Sequence, residues 1–211
     1  MSMIDMLDKK QRRLTMLTIA FGLGLLFTAH GQGASEPRFR LRVKDLDVNL
    51  RRTPLYQAES TPYAKSEDDW LQLLLTYEVD VEGGKWVDRL QLKWHVALLQ
   101  PSGKPLLLNR AIDYVDVEKG ECHAVVYVRP GLLKRYFKDG KIDKDQVLVH
   151  VVFKANGSVV ETFEHRGTDN VPQRWWDAGP AQVVTKTEEL LPRTKTPFAP
   201  LDYDYYEHIS E

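Results

Sequence analysis

The chain has 211 residues, and its 29 Lys and Arg residues nearly balance its 30 Asp and Glu residues, giving a formal net charge of −1. This balance argues against a nucleic-acid partner and against strong electrostatic binding to anionic membranes. The single cysteine, Cys122, excludes an internal disulfide, which a domain of this size does not need because its core suffices.

The N-terminal segment has the three parts of a secretory signal. Basic residues precede an uncharged run from Leu14 to Ala29, and the small residues Ala29 and Gly31 follow at the positions of a cleavage site. We therefore expect residues 1–31 to be a signal peptide and residues 32–211 to form one domain. The protein would then be exported to the periplasm, the outer envelope or the medium.

This segment has two other interpretations. A spanning helix needs about 20 apolar residues, and the uncharged run is shorter than that and contains two glycines. A retained anchor is therefore the alternative to cleavage, and only in that case do we expect contact with a membrane. A type IV pilin spine is disfavoured, because no acidic residue occurs between Leu14 and Gly33.

After the N-terminal segment, apolar and polar residues mostly alternate with a period of two, which is typical of half-buried strands. In the first run, Phe39, Leu41 and Val43 share one face. Asn156-Gly157 lies between two such runs and predicts a tight hairpin. The pattern predicts about seven strands, in residues 39–50, 70–81, 88–100, 105–117, 121–128, 146–155 and 158–165.

Only one region has helical spacing. Residues 129–141 begin with Pro130, carry leucines and aromatics three and four residues apart, and end at Gly140, which predicts a helix of about two turns. We expect residues 51–69 to form a surface loop and residues 181–185 a possible strand. Residues 186–211 are rich in Pro and Tyr, and their prolines predict an extended segment without regular structure.

Strand count and pattern together favour an all-β fold: an antiparallel, immunoglobulin-like β-sandwich of about seven strands with one short helix. A small barrel is the alternative.

No residue pattern indicates catalysis. The chain has no G-x-S-x-G sequence, and His95, His123 and His150 lack the spacing of metal ligands. Cys122 shares its face with apolar neighbours, so we expect a buried, unreactive residue. We therefore predict no catalytic residue, no metal and no cofactor, and a protein that is not an enzyme. An unrecognised hydrolase is the remaining catalytic alternative.

The aromatic residues of the C-terminal part are the candidate contact residues. Aromatic side chains with a polar group are enriched at binding surfaces, and flat rings also stack on sugars. The same residues would also be explained by packing, or by a C-terminal segment that folds back over an open sheet edge. The candidates for contact with a partner or a glycan are Trp175, Trp176, Phe198, Tyr203, Tyr205 and Tyr206.

The leader RRLTMLTIAFGLGLLFTAHG, the strand-rich middle and the aromatic end APLDYDYYEHI together resemble a known family. It is the family of small exported immunoglobulin-like proteins of the pilus-associated gene clusters of gut mucin-degrading Verrucomicrobia. The resemblance implies an envelope-associated protein and no catalytic residues.

From the pattern and the resemblance together, we expect a non-catalytic exported envelope protein with a binding or structural role, pilus-associated or adhesive. Its partner would be an envelope protein or a surface glycan. The alternative is a carbohydrate-binding module in which Trp175 and Trp176 stack on sugar rings.

Overall fold

The computed structural model describes residues 39–55, 57–58, 61–62, 68–101, 103–169, 171–179, 181–202 and 205–210. All of them belong to one compact unit, Glu36–Glu211. The predicted signal peptide, residues 1–31, lies outside the described residues. Within the described part of the chain, no helix has both the length and the apolar composition needed to cross a membrane.

Among the described residues, nine strands form two facing sheets, and two more pair as a separate two-stranded sheet. In chain order the strands are β1 (Phe39–Arg52), β2 (Gln57–Ala58), β3 (Thr61–Pro62), β4 (Asp69–Val81), β5 (Trp86–Leu98), β6 (Leu106–Glu118), β7 (Gly120–Val128), β8 (Val147–Ala155), β9 (Ser158–Arg166), β10 (Val184–Lys186) and β11 (Leu190–Pro192). The helix α1 (Pro130–Tyr136) lies between β7 and β8.

The first sheet has the order β1-β4-β7-β11, and the second has the order β10-β6-β5-β8-β9. All pairs within the two sheets are antiparallel except β10 with β6, which is parallel. The all-β sandwich with one short helix is therefore confirmed. The seven predicted runs are the seven long strands, and the three-residue strands β10 and β11 extend the sheets at their edges.

Large side chains from both sheets fill the space between them. The inward residues of β5 are Leu90, Leu92, Trp94, Val96 and Leu98, as the alternation predicts, and all are fully buried. Tyr77 of the first sheet meets Phe153 of the second with ring centroids 5.5 Å apart, in an edge-to-face arrangement. Burial of this apolar face, at about 25 cal/mol per Å², is the main stabilising contribution to the sandwich.

The alternation of β1 changes phase in the middle of the strand. Phe39, Leu41 and Val43 pack against the core, as expected, but further along the even-numbered Leu46 and Val48 are the buried residues. The register with β4 shifts between Val43 and Asp45, which marks a β-bulge. One extra residue moves the following side chains to the opposite face, so a single bulge keeps both halves of the apolar pattern inside.

Two expectations about irregular regions were wrong in part. The segment 51–69 is not wholly a loop, because β1 continues through Arg52 and β4 begins at Asp69. The Pro-rich C-terminal segment is not wholly irregular either, because β11 includes Pro192. Pro192 is tolerated there because β11 is an edge strand, where a missing N–H need not break a ladder.

Residues 207–210, which we call the closing segment, connect the edges of the two sheets. The N–H of Glu207 donates to the carbonyl of His123 on β7 (3.2 Å). The N–H of Val115 on β6 donates to the carbonyl of His208 (2.9 Å), and the N–H of Ser210 donates to the carbonyl of Asp113 (2.9 Å). The end of the chain therefore covers an open sheet edge, as the edge-covering interpretation predicts.

Deleting residues 207–211 should make the protein self-associate. The deletion leaves backbone groups of Asp113 and Val115 unpaired on the edge of β6, and a bare edge is a template for another strand. We expect a concentration-dependent dimer or larger species by size-exclusion chromatography with light scattering. Ser210→Ala is the control, because it keeps the backbone N–H and should behave like the parent. A truncated protein with the parent's association state would contradict this role.

Candidate functional site

Trp175 is a packing residue of the second sheet. It lies in a short 3-10 turn, Trp175–Asp177, on the outer face of the sheet and is only 4% exposed. It packs against outward-facing residues of three strands, Ala97, Leu107 and Leu148. Its indole Nε1 donates to Glu164 Oε1 at 3.2 Å, which satisfies its polar atom. The ring therefore anchors the connection between β9 and β10 to the sheet.

Trp176 lies flat on His150, which is one of two neighbouring histidines on adjacent strands. Its ring stacks on His150 with a centroid distance of 3.8 Å and an interplanar angle of 4°. His150 lies directly opposite His95 in the β5–β8 register, with ring centroids 5.6 Å apart. Both imidazoles are 8% exposed, and among the described residues neither Nδ1 has a hydrogen-bond partner.

The environment of this histidine pair favours the neutral form of both rings. The pKa of His95 is lowered to about 4, mainly by burial and also by the charges of Lys93 and His150, against smaller opposing effects of Asn109 and Asp177. Burial also lowers the pKa of His150, while Glu164 and Asp177 oppose that shift. Within the described residues, no three His, Cys, Asp or Glu side chains are grouped to hold a metal ion.

The C-terminal aromatic residues lie on the outer face of the first sheet. Phe198 is 7% exposed and stacks on Tyr127 at a centroid distance of 4.7 Å, with Trp70 edge-on at 5.9 Å. Tyr206 is half-buried, and the guanidinium carbon of Arg193 lies 5.1 Å from its ring centroid. Phe198 therefore packs the C-terminal segment onto the sheet, and Tyr206 keeps part of its surface accessible.

Tyr205 is the most accessible of the described aromatic candidates. It is 48% exposed and stacks on His123, with ring centroids 4.0 Å apart. Tyr203 lies outside the described residues. The structure thus places Trp175 and Phe198 in buried clusters and leaves accessible surface on Trp176, Tyr205 and Tyr206. A contact with a partner or a glycan through these last three residues stays a prediction.

Cys122 is buried, as expected, and its environment makes it a poor nucleophile. Burial is the largest effect that raises the pKa of its thiol, and the nearby carboxylate of Glu207 raises it further. Its Sγ donates to the carbonyl of Glu118 at 3.3 Å. The thiolate that covalent catalysis needs is therefore strongly disfavoured at neutral pH.

On the side of the sandwich opposite the closing segment, β1 and β9 are the edge strands. The exposed positions of β1 are mostly charged, which discourages pairing with another chain. The hairpin end of β9 differs, because Val159 is 57% exposed and Val160 is 39% exposed. Val160 is also the extra residue of a register shift, since Phe153 pairs with Glu161 and Lys154 pairs with Val159.

Fold and surface together define an all-β sandwich whose described residues hold no assembled catalytic group. A family model matches residues 32–211, and the chain belongs to that family: the immunoglobulin-like proteins of pilus-associated gene clusters in gut mucin-degrading Verrucomicrobia.

A crystal structure of a protein from Akkermansia muciniphila is similar to this chain, with a TM-score of 0.71 and 24% sequence identity. The similarity covers 83% of this chain and 95% of that one, and at this identity it shows the shared fold. No curated protein matches the sequence.

The histidine pair predicts a loss of stability in acid. The unfolded chain protonates His95 near pH 6.5, whereas the folded chain does so only near pH 4. Between these values the unfolded state binds more protons, so the free energy of unfolding falls as the pH is lowered, by about 2 to 3 kcal/mol for this residue. Urea denaturation at pH 7, 5.5 and 4.5 measures the loss.

His95→Gln is the matched variant for this prediction, because glutamine is polar but does not titrate. It should lose less stability between pH 7 and pH 4.5 than the parent, by about the contribution of one histidine. Equal losses in the two proteins would show that His95 does not carry the effect.

Proposed function

We propose that this protein is a non-catalytic component of the bacterial envelope that binds a protein partner beside pilus machinery. Its family supports the pilus association, and the resemblance in its leader supports export. The partner contact would be made at the hairpin end of β9, through the surface around Val159 and Val160.

The observation that carries the proposal is the difference between the two sides of the sandwich. On one side the closing segment occupies the edge of β6 and reaches β7. On the other side, β9 carries two exposed valines at its hairpin end. Exposed apolar residues on an edge strand are typical of a contact surface, because both their side chains and the free backbone groups can be buried by a partner.

The chemistry of the described residues also supports a role without catalysis. The only thiol is buried with a raised pKa, and the buried histidines have lowered pKa values and no acidic partner arranged as in a catalytic triad. A binding protein requires none of these groups to be activated. Surface complementarity at β9 would be sufficient for the proposed role.

Site-specific photo-crosslinking in cells that carry the pilus-associated cluster tests this proposal. A photoreactive residue at Val160 should give an adduct with another product of the same gene cluster, identified by mass spectrometry. Leu201 is the matched control position, because it is also apolar and is 38% exposed against 39% for Val160. Absence of an adduct at Val160, or equal adducts at both positions, would contradict the proposal.

A further inference from the structure

A pocket of about 310 Å³ lies between the outer face of the first sheet and the C-terminal segment. This volume is within the range of small-molecule sites, which is roughly 300–1,000 Å³. Polar and apolar groups share its lining, which includes Arg51, Gln72, Tyr127, Phe198, Asp202 and Tyr206.

Hydrogen bonds hold the polar side of this pocket in place. Arg51 Nε donates to Gln72 Oε1 at 3.1 Å, and Gln72 Nε2 donates to the hydroxyl of Tyr127 at 2.8 Å. Gln72 is only 3% exposed and Tyr127 only 1%, so the polar chain is anchored in the body of the protein.

The hydrogen bond to Gln72 holds the guanidinium of Arg51 through Nε and leaves its two Nη nitrogens available to a ligand. Among the described residues, no hydrogen-bond partner is found for the Nη groups of Arg51. A planar guanidinium with two free donors matches a carboxylate, which it binds through two parallel hydrogen bonds. Arg52 and Asp202 also line the pocket.

Asp202 indicates what else the ligand carries. A carboxylate beside an anion-binding arginine is unfavourable for a bare anion, but it is a good acceptor for ligand hydroxyl groups. The hydroxyl of Tyr206 can donate or accept, and Phe198 supplies an apolar wall. Cationic, acceptor and apolar groups thus surround a space of the size of one small ring.

We propose that this pocket binds an acidic monosaccharide, a sugar that carries both a carboxylate and hydroxyl groups. Arg51 binds the carboxylate, Asp202 and Tyr206 bind hydroxyls, and the ring lies against Phe198. The site is on the first sheet and includes neither Val159 nor Val160, so it is independent of the proposed partner contact on β9. Either proposal can fail without the other.

Isothermal titration calorimetry on residues 32–211 of the chain, which include the whole described domain, tests the site with four probes. These are glucuronate, N-acetylneuraminate, neutral glucose and N-acetylglutamate amide, which represents an acidic peptide. We expect saturable binding of at least one of the two sugar acids. Glucose should bind at least tenfold more weakly than glucuronate, because it lacks the carboxylate that pairs with Arg51.

Two variants locate the binding. Arg51→Gln should weaken binding of the sugar acid about 10- to 100-fold, and Tyr206→Phe should weaken it about fivefold while keeping the ring. Arg42→Gln is the matched control, because Arg42 is an exposed arginine of the same strand outside this pocket, and it should bind like the parent. Circular dichroism and thermal unfolding of each variant establish that it is folded.

Three results would overturn the proposal. One is the absence of saturable binding of either sugar acid, and another is an affinity that folded Arg51→Gln leaves unchanged. The third is tighter binding of N-acetylglutamate amide than of both sugar acids, which would assign the pocket to an acidic peptide. The crosslinking result at Val160 tests the partner contact on β9 and does not test binding in this pocket.

Discussion

Every strand at the edge of a sheet carries a row of unpaired backbone groups, and the rest of this structure depends on how those edges are treated. The closing segment pairs with β6 and reaches β7, so the two sheets are joined along one side by residues from the end of the chain. On β1, charged side chains and a bulge discourage pairing. Of the strands that the structure describes, only β9, at its hairpin end, combines an edge position with a pair of exposed valines.

The aromatic residues of the C-terminal part are best understood through the same constraint. Phe198 and Trp175 each fasten a long connection to the outer face of a sheet, where they bury surface that the sandwich core does not cover. The connection that Phe198 fastens leads to the closing segment. The attachment also creates the pocket beside Arg51, because the segment crosses the sheet without filling the space next to β1.

Much of the fold could be predicted from the sequence because alternation identifies the face of each strand. The shared face of Phe39, Leu41 and Val43 followed from period two alone, and Asn156-Gly157 was correctly placed at a hairpin. The bulge in β1 was missed because Val43 and Leu46 each look regular within their own half of the strand. The parallel pairing of β10 with β6 has no local signal, since it joins segments distant in the chain.

The candidate sites were less predictable for the same physical reason. Periodicity tells which face a residue occupies but not which residue lies opposite it. His95 and His150 have no spacing in the sequence that relates them, and only the order of β5 and β8 brings their rings together. Arg51 and Gln72 are 21 residues apart, and the pocket exists only because the C-terminal segment returns over them. The signal of the pocket that the sequence did offer was the pair of adjacent arginines, Arg51 and Arg52, at the end of β1.

Amide hydrogen exchange of the folded domain, followed by NMR, tests most directly whether the closing segment is a permanent part of the fold. The account predicts that the amides of Val115, Glu207 and Ser210 are protected together, because each donates a hydrogen bond that the segment makes to the sheets. Exchange of Glu207 and Ser210 at the rate of an unstructured peptide would contradict it, since the edge of β6 would then be open in solution.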